Sequence, residues 1–427
     1  MKKVKHYSIW QKTFHTLSVL VLLRLFYSVP TPGVNTDYFK AMLENNASLG
    51  FLNAITGSGL SGLSVMALSV GPYITASIFI QLFGILIPKL GEMQNGMKED
   101  RDKVDRITFI LGILMAIVQS GFMAIGFGQR GLLLDYKWYW IVCVMSIWTL
   151  TSALTSLIGK TMGDKKSLFV GNGVSLILAS NIIASYPKDI RSVMTILSYR
   201  GAKNQIWTGI LLFTGVILLF IFTVYINGCE KQIKVVYSTK SGGGEGIIPI
   251  KLCTGGVVPV IFASSIISFP VMIAGFLGKS DLKWIRILDT GSWFQADEPI
   301  YTLGVLLYLG LILAYSYFYT SITFNPTEVA HNIQKSGGTI PGIRAGTPTA
   351  VYLKTQMKYV IAVGAACMSV IAVAPIIASS RLGVSNVAFL GTSVIIIVSV
   401  VLDTKTQIQS QKRGHKYHKK GGRFYVA

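Results

Sequence analysis

The chain has 427 residues, of which 51% are hydrophobic and only 13% are charged. Soluble domains carry about 25% charged residues, so this composition excludes an ordinary soluble protein and indicates a chain that crosses a membrane several times. Lysine and arginine (39) outnumber aspartate and glutamate (18), and the net charge of +21 favours anionic lipids, acidic protein surfaces or RNA as partners. The cysteines and histidines are not spaced as metal ligands, so we expect neither a metal site nor a cofactor.

Hydropathy predicts ten membrane-spanning helices. Because ten is an even number, both termini are expected on the same side of the membrane. The spans are expected at about residues 14–29, 65–88, 107–127, 138–158, 171–186, 206–227, 256–277, 302–322, 359–379 and 385–402.

The basic residues predict which side carries the termini. Connections on the terminal side carry 27 lysines and arginines, whereas the connections on the opposite side carry 11. Cytoplasmic segments of membrane proteins carry the excess of these residues. Both termini, including the basic tail 404–427, are therefore predicted to be cytoplasmic.

The segment at about 50–64 precedes the second span and is apolar but rich in glycine and serine. It is too short and too broken to cross a bilayer, which takes roughly 20 apolar residues, yet it runs without a charge into the next span. Irregular backbone at membrane depth is tolerated only where protein surrounds it or a water-filled cavity faces it. The pattern predicts a short re-entrant piece inside a channel, or else a kinked helix hairpin of a transporter.

Two predicted cytoplasmic loops, 228–255 and 323–358, are long for a compact membrane protein. In the first, Glu230–Lys240 alternates apolar and polar residues, and a glycine-rich turn leads to a second short run, which predicts a protruding β-hairpin. The second predicts a short helix that begins at Asn-Pro and ends at Gly-Gly, followed by a turn that displays Arg344. Loops of this length are often functional.

The stretch Ala67-Leu-Ser-Val-Gly-Pro-Tyr-Ile-Thr-Ala-Ser-Ile78, followed by Gln81-Leu82, resembles the second transmembrane segment of the SecY family of protein-conducting channels. The resemblance extends from about residue 10 to residue 410. It departs from the family pattern at Cys253, Arg344-Ala-Gly346, Leu390-Gly391 and Gly163-Asp164. The other matches are Pro30-Thr-Pro-Gly-Val34, Gly171-Asn-Gly-Val-Ser-Leu176, Gly256-Val-Val-Pro-Val-Ile-Phe-Ala-Ser-Ser265, Phe318-Tyr-Thr320, Phe324-Asn-Pro326, Lys335-Ser-Gly-Gly338, Ile340-Pro-Gly-Ile-Arg344 and Gly391-Thr-Ser393.

The resemblance implies an all-α polytopic membrane protein with ten transmembrane helices. Two inverted five-helix halves, 1–203 and 204–427, would surround a central hourglass pore with a re-entrant plug. Judged by residue type alone, each proposed pore residue could equally face lipid or core. The ring that would close the pore comprises Val70, Ile74, Val174, Leu178, Ile261 and Ile396. The plug would comprise Gly57, Ser58, Gly59, Leu60, Ser61 and Gly62.

A lateral gate is implied between the second and third spans on one side and the seventh and eighth on the other. Gln81 and Gln119 are polar positions on the first side, and Cys253 and Thr254 lie at the start of the seventh span. The two glutamines could equally form interhelical hydrogen bonds that take no part in gating.

The implied function is that of the central channel subunit of a Sec protein translocase, without catalytic residues of its own. It would pass unfolded polypeptides across the membrane and release hydrophobic segments sideways into lipid. An accessory paralogue with a narrow clientele is the alternative. An inverted-repeat secondary transporter is disfavoured because the span interiors carry almost no ionisable groups. An intramembrane enzyme is disfavoured because no constellation of His, Asp and Glu lies in the spans.

The resemblance also implies the partners and the location. The partners are the small membrane subunits SecE and SecG, the motor ATPase SecA, the ribosome, and signal peptides with nascent polypeptides; the positive charge adds anionic lipids. Lys240 and Arg344, in the two basic loops, are the candidate docking residues for the motor or the ribosome. The expected location is the cell membrane.

The charge asymmetry gives a topology prediction. In a variant without the four native cysteines, single cysteines at Ser241 and Gly346 should react with a membrane-impermeant thiol reagent only from the cytoplasmic side. A single cysteine at Lys283 should react only from outside. Labelling of position 346 from outside would rule out the ten-span arrangement.

Overall fold

The computed structural model describes residues 9–37, 56, 59–96, 98–128, 131–163, 169–198, 202–237, 244–253, 255–277, 282–294, 299–382 and 390–421. Its helices are α1 (Ile9–Tyr27), α2 (Gly71–Leu86), α3 (Pro88–Asn95), α4 (Lys98–Gly126), α5 (Trp138–Gly163), α6 (Gly173–Ser198), α7 (Ala202–Gly228), α8 (Val258–Leu277), α9 (Lys283–Leu288), α10 (Leu303–Thr323), α11 (Pro326–Lys335), α12 (Thr347–Leu382) and α13 (Leu390–Gly421).

Within the described ranges, each predicted span contains one long helix, and the short helices α3, α9 and α11 lie between spans. Among the described residues, six helices are long and apolar enough to cross a membrane by themselves, or seven when the bent pair α2 and α3 counts as one span. Several helices run past the predicted spans. Helix α12 begins at Thr347 rather than at 359, and α13 continues through much of the predicted basic tail. The prediction missed these polar ends because hydropathy detects only the apolar part of a helix.

The second span becomes helical later than hydropathy predicts. Residues 65–70 form turns, and Ser69 has a positive φ of 50°, which is incompatible with a continuous right-handed helix. Helix α2 begins at Gly71 with Pro72 in its first turn, where a proline sacrifices no intrahelical hydrogen bond.

The end of α2 is set by a second proline. Ile87 precedes Pro88 and is therefore extended, because the proline ring disfavours the helical region for the residue before it. Helix α3 continues from Pro88 after a bend of 117°. The chain thus turns sharply before α4 begins.

The two long loops meet in one small sheet. Strands β1 (Glu230–Tyr237) and β2 (Gly244–Lys251) form the predicted antiparallel hairpin, with Glu230 opposite Lys251. A two-residue strand β3 (Gly338–Thr339) from the second loop pairs with the other edge of β1 and gives the strand order β2-β1-β3. The predicted loop helix is α11, and Asn325 caps it by accepting hydrogen bonds from two backbone amides.

Two large apolar clusters lie in the helical body. The main cluster draws side chains from α1, α2, α6, α7, α8, α10, α12 and α13. The second cluster joins α4 and α5 to the turns that precede α2. Helices before and after residue 203 contact each other where α4 meets α8 and where α6 meets α13. These contacts bring the predicted pore residues of distant spans together.

Candidate functional site

A cavity of about 1240 Å³ opens among α2, α4, α5, α6, α8, α10 and α13. It exceeds the roughly 300–1,000 Å³ of ordinary small-molecule pockets. One part of its wall carries charged side chains of both signs, at Lys98, Asp102, Asp105, Arg106, Lys160 and Asp403. The rest is largely apolar and includes five of the six predicted ring residues: Ile74, Val174, Leu178, Ile261 and Ile396.

The six predicted ring residues belong to one apolar cluster, although they come from four separate parts of the chain. Four of them, Val70, Leu178, Ile261 and Ile396, are buried, and Ile74 and Val174 are partly buried. Val70 is the one member that does not line the cavity. Aliphatic groups offer no ligands to an ion. An ion that passes this part of the cavity would therefore lose water ligands without gaining protein ligands in their place.

Glycines place two of these residues on α6. Gly171 has a positive φ of 89° and turns the chain into the helix. At Gly173, a Cβ atom would lie 2.2 Å from the carbonyl oxygen of Gly159, so only glycine lets the start of α6 touch α5. Val174 follows immediately, and Leu178 lies about one turn further on.

A buried polar network fixes the chain just before Val70, one of the predicted ring residues. The hydroxyl of Ser69 hydrogen-bonds with the hydroxyl of Tyr27 on α1. The side-chain amide of Asn181 on α6 donates to both hydroxyl oxygens at 3.1 Å, and Ser152 on α5 donates to the carbonyl oxygen of Ser69 at 2.9 Å. Three helices thereby hold Ser69 in its left-handed conformation.

Sequence reasoning missed this network, although a signal was present. Asn181 lies inside a predicted span, and polar side chains in spans usually have a partner or a function. The identity of the partners could not be read, because Tyr27 and Ser69 are 154 and 112 residues away from it.

The predicted plug is described from Gly59 onwards, and Gly57 and Ser58 lie outside the described residues. Leu60 is buried in the second cluster, and none of the described plug residues lines the large cavity. The base of the segment is attached to the end of α1: Thr31 donates its amide to the carbonyl oxygen of Leu63 at 2.9 Å. The indole of Trp148 on α5 donates to the Thr31 hydroxyl at 2.9 Å.

The seam predicted for the lateral gate is occupied by a ring contact that sequence reasoning missed. Phe79 of α2 meets Phe269 of α8 edge to face, with ring centroids 6.5 Å apart. With 21 phenylalanines in the chain, no sequence signal distinguishes this pair. Gln81 lines the large cavity and donates to the Ser77 hydroxyl at 3.1 Å, while Gln119 is partly buried in α4.

Cys253 lies in different surroundings from those two glutamines, and Thr254 lies outside the described residues. Cys253 does not line the large cavity; its backbone nitrogen approaches Gly364 of α12. Burial raises the pKa of its thiol to about 12, with Cys367 and Cys229 as smaller causes. The amide of the preceding Leu252 donates to the carbonyl oxygen of Cys229 at 2.9 Å. The described residues contain no group of His, Cys, Asp or Glu that could hold a metal ion.

Only one of the two candidate docking residues lies in the described part of the chain. Lys240 lies outside the described residues, whereas Arg344 is exposed at the end of a turn. In that turn Gly342 has a positive φ of 80°, and the Thr349 hydroxyl donates to the carbonyl oxygen of Arg344 at 2.8 Å. Since Ile340 is buried under the turn, the backbone that carries the Arg344 side chain is anchored.

Comparison with known proteins places this geometry in a family. A family model described as SecY matches residues 64–405. "Protein translocase subunit SecY" of Pyropia yezoensis is 32% identical over 418 residues, which cover 94% of this chain and 96% of that protein. The protein of the same name from Chlamydia muridarum is 33% identical over 434 residues, covering 94% of this chain and 93% of that protein.

Solved structures show the same fold. "The structure of a protein conducting channel" matches 96% of this chain and 94% of that chain with a TM-score of 0.67 and 19% identity. "The plug domain of the SecY protein stablizes the closed state of the translocation channel and maintains a membrane seal" matches the same shares with a TM-score of 0.70 and 18% identity. "Sec61 in the Canine ribosome-channel complex from the endoplasmic reticulum" also matches 96% and 94%, with a TM-score of 0.66 and 18% identity.

The Ser69 network predicts an order of stabilities that separates its hydrogen bonds from its backbone strain. Ser69→Ala removes the hydroxyl and keeps the left-handed conformation, so it should lower the free energy of unfolding by about 1 kcal/mol. Ser69→Gly removes the same bonds but relieves a strain of about 1–2 kcal/mol, and it should therefore be more stable than Ser69→Ala. Thermal unfolding of the purified chain in detergent measures both. A glycine variant less stable than the alanine variant would contradict this account.

Proposed function

The chain belongs to the SecY family, and from this premise we propose that it is the central channel subunit of a Sec protein translocase. It passes unfolded polypeptides across the membrane and releases hydrophobic segments sideways into lipid. The observation that carries the proposal is the large cavity, whose charged part can admit a hydrated polypeptide and whose apolar part contains five of the predicted ring residues.

The ring acts as the seal in this proposal. Val70, Ile74, Val174, Leu178, Ile261 and Ile396 are the side chains assigned to it. Ions are excluded because dehydration is not compensated by any ligand in the ring. A polypeptide is treated differently, since aliphatic walls can yield to side chains of varied size and form no lasting hydrogen bonds with the moving chain.

The plug controls the path across the membrane, and the gate controls the path sideways into lipid. Gly57, Ser58, Gly59, Leu60, Ser61 and Gly62 form the plug, whose attached base is the turn around Leu63. The gate opens where α2 and α4 meet α8 and α10, so the contact between Phe79 and Phe269 must separate. A departing signal segment gains about 0.3–0.6 kcal/mol for each Leu, Ile, Phe or Val that enters lipid. Gln81, Gln119, Cys253 and Thr254 are assigned to the borders of this gate.

Partner proteins supply the force that drives the polypeptide through the channel. SecA or the ribosome docks on the basic cytoplasmic loops, at Arg344 and Lys240, and SecE and SecG complete the membrane complex. The basic loops support this assignment. The related Sec61 channel occurs in a ribosome-channel complex, which is consistent with a ribosome partner. Both termini face the cytoplasm, and the location is the cell membrane.

The function is tested by reconstitution in proteoliposomes with a motor ATPase and a protein that carries a signal sequence. The wild-type channel should move that protein into the lumen, where protease cannot reach it, with little ion leakage. The double variant Ile74→Asn and Ile261→Asn should wet the seal and raise single-channel ion conductance several-fold.

A matched control makes the same two substitutions at positions outside the ring. Ile210→Asn with Ile221→Asn alters two exposed positions on α7 and should leave the conductance unchanged. Equal conductance in the ring variant and the wild type would remove Ile74 and Ile261 from the seal. Failure of the wild type to protect any protein would contradict the channel function itself.

Arg344 gives a prediction about docking. From residue 329 to residue 358 the loop contains no acidic residue, so Arg344 can face an acidic partner surface without internal competition. Arg344→Glu should lower motor-driven export about tenfold or more, because juxtaposed like charges cost several kcal/mol. Export of a secreted reporter measures the effect, with immunoblotting to verify the channel level. Lys283→Glu, on the opposite side of the membrane, is the control; normal export with stable Arg344→Glu channel would refute docking at this residue.

A further inference from the structure

A second cavity lies outside the channel, between the end of α10, the loop helix α11 and the start of α12. Its volume is about 620 Å³, within the range of about 300–1,000 Å³ that is usual for small ligands. The lining residues that matter here are Tyr317, Phe324, His331, Lys354, Met357 and Lys358.

The cavity lies at the level where two spans leave the membrane. The apolar stretch of α10 is predicted to end at 322, and that of α12 is predicted to begin at 359. Tyr317 and Ile361 are inside these stretches, while Lys354 and Lys358 precede the second one by one to five residues. Since an α-helix rises about 1.5 Å per residue, the lining extends from the edge of the hydrocarbon region into the headgroup region.

The part of the lining that is nearest the membrane is apolar and well packed. Met357 and Ile361 are buried, and Phe324 packs beside them in the apolar cluster that also contains the sheet. The hydroxyl of Tyr317 donates to the carbonyl oxygen of Lys358 at 3.0 Å, so α10 and α12 are held together at this level. This wall is suited to a hydrocarbon chain.

The rim of the cavity is cationic. Lys354 and Lys358 are exposed and lie one turn apart on α12, an arrangement of like charges that is destabilising unless an anion lies between them. His331 of α11 adds a third nitrogen-bearing side chain, and the amino-terminal end of the 36-residue α12 adds its positive dipole end at Thr347.

The absence of acidic groups from this lining distinguishes the second cavity from the channel. No aspartate or glutamate is among the described residues that line it, whereas Asp102, Asp105 and Asp403 line the channel cavity. A site with cationic side chains beside a hydrocarbon wall matches an amphiphile with an anionic head.

We propose that this cavity binds one anionic glycerophospholipid. Its phosphate group lies between Lys354, Lys358 and His331, and an acyl chain lies along Phe324, Met357 and Ile361. Free phosphate would use only the rim, and an acidic peptide would not need the apolar wall at the membrane edge. The lipid is favoured because it uses both parts of the lining.

The test measures lipid binding to the full-length chain in detergent by native mass spectrometry, with dioleoyl-phosphatidylglycerol as the probe. The double variant Lys354→Gln and Lys358→Gln should bind this lipid about 25-fold more weakly, because each basic residue at an anionic lipid surface contributes about a factor of five. The matched double variant Lys234→Gln and Lys335→Gln changes two exposed lysines of the same loops that do not line the cavity, and it should bind as wild type does.

Two further measurements distinguish a lipid headgroup from free phosphate as the bound anion. Ser321→Phe narrows the membrane side of the cavity, away from the lysines, so it should weaken phosphatidylglycerol binding and leave inorganic phosphate binding unchanged. Zwitterionic phosphatidylcholine should bind weakly and equally to the wild type and to the lysine variant.

Unchanged phosphatidylglycerol binding in the Lys354 and Lys358 variant would overturn the proposal. So would equal binding of phosphatidylglycerol and phosphatidylcholine to the wild type, or unchanged phosphatidylglycerol binding when the apolar part of the cavity is filled. Because the readout is lipid binding and not polypeptide transport, the outcome is independent of the proposed channel function.

Discussion

Lipid cannot hydrogen-bond to a backbone, so every peptide group at membrane depth must find its partner within the protein. Helices meet this requirement by themselves. The stretch from Gly59 to Val70 is not helical, and it meets the requirement through neighbouring helices. Val65 donates its amide to the carbonyl oxygen of Val29, and the hydroxyl of Thr151 donates to the carbonyl oxygen of Val65. The irregular segment is possible only because α1, α5 and α6 surround it.

The predicted pore residues depend on the same bonds. Val70 stands between this irregular stretch and α2, and the conformation of Ser69 decides where α2 begins. A helix continuous from residue 65 would rotate and shift the face that carries Ile74. The polar network at Ser69 and the aliphatic cluster beside it therefore serve one purpose, since the first fixes the backbone that presents the second.

Much of the fold could be predicted because its signals are local. Apolar runs of sufficient length located the ten long helices, an alternating pattern located β1 and β2, and Asn325-Pro326 marked the start of α11. What could not be predicted depends on contacts between distant segments. Nothing near Gly338 shows that it pairs with Tyr237, and nothing near Leu252 shows that its carbonyl oxygen lies against Gly364 of α12. At the candidate site, the resemblance to the SecY family suggested the aliphatic ring, but the pairing of Phe79 with Phe269 required the structure.

The strand β3 turns two loops into one mechanical part. β1 follows α7 after a single residue, β2 ends seven residues before α8, and β3 connects α11 to α12. A load applied to one loop is therefore shared with the other. Because the hairpin leads into α8, which carries Ile261 and Phe269, a partner that docked on either loop as proposed above would load the proposed seal and the proposed seam at the same time.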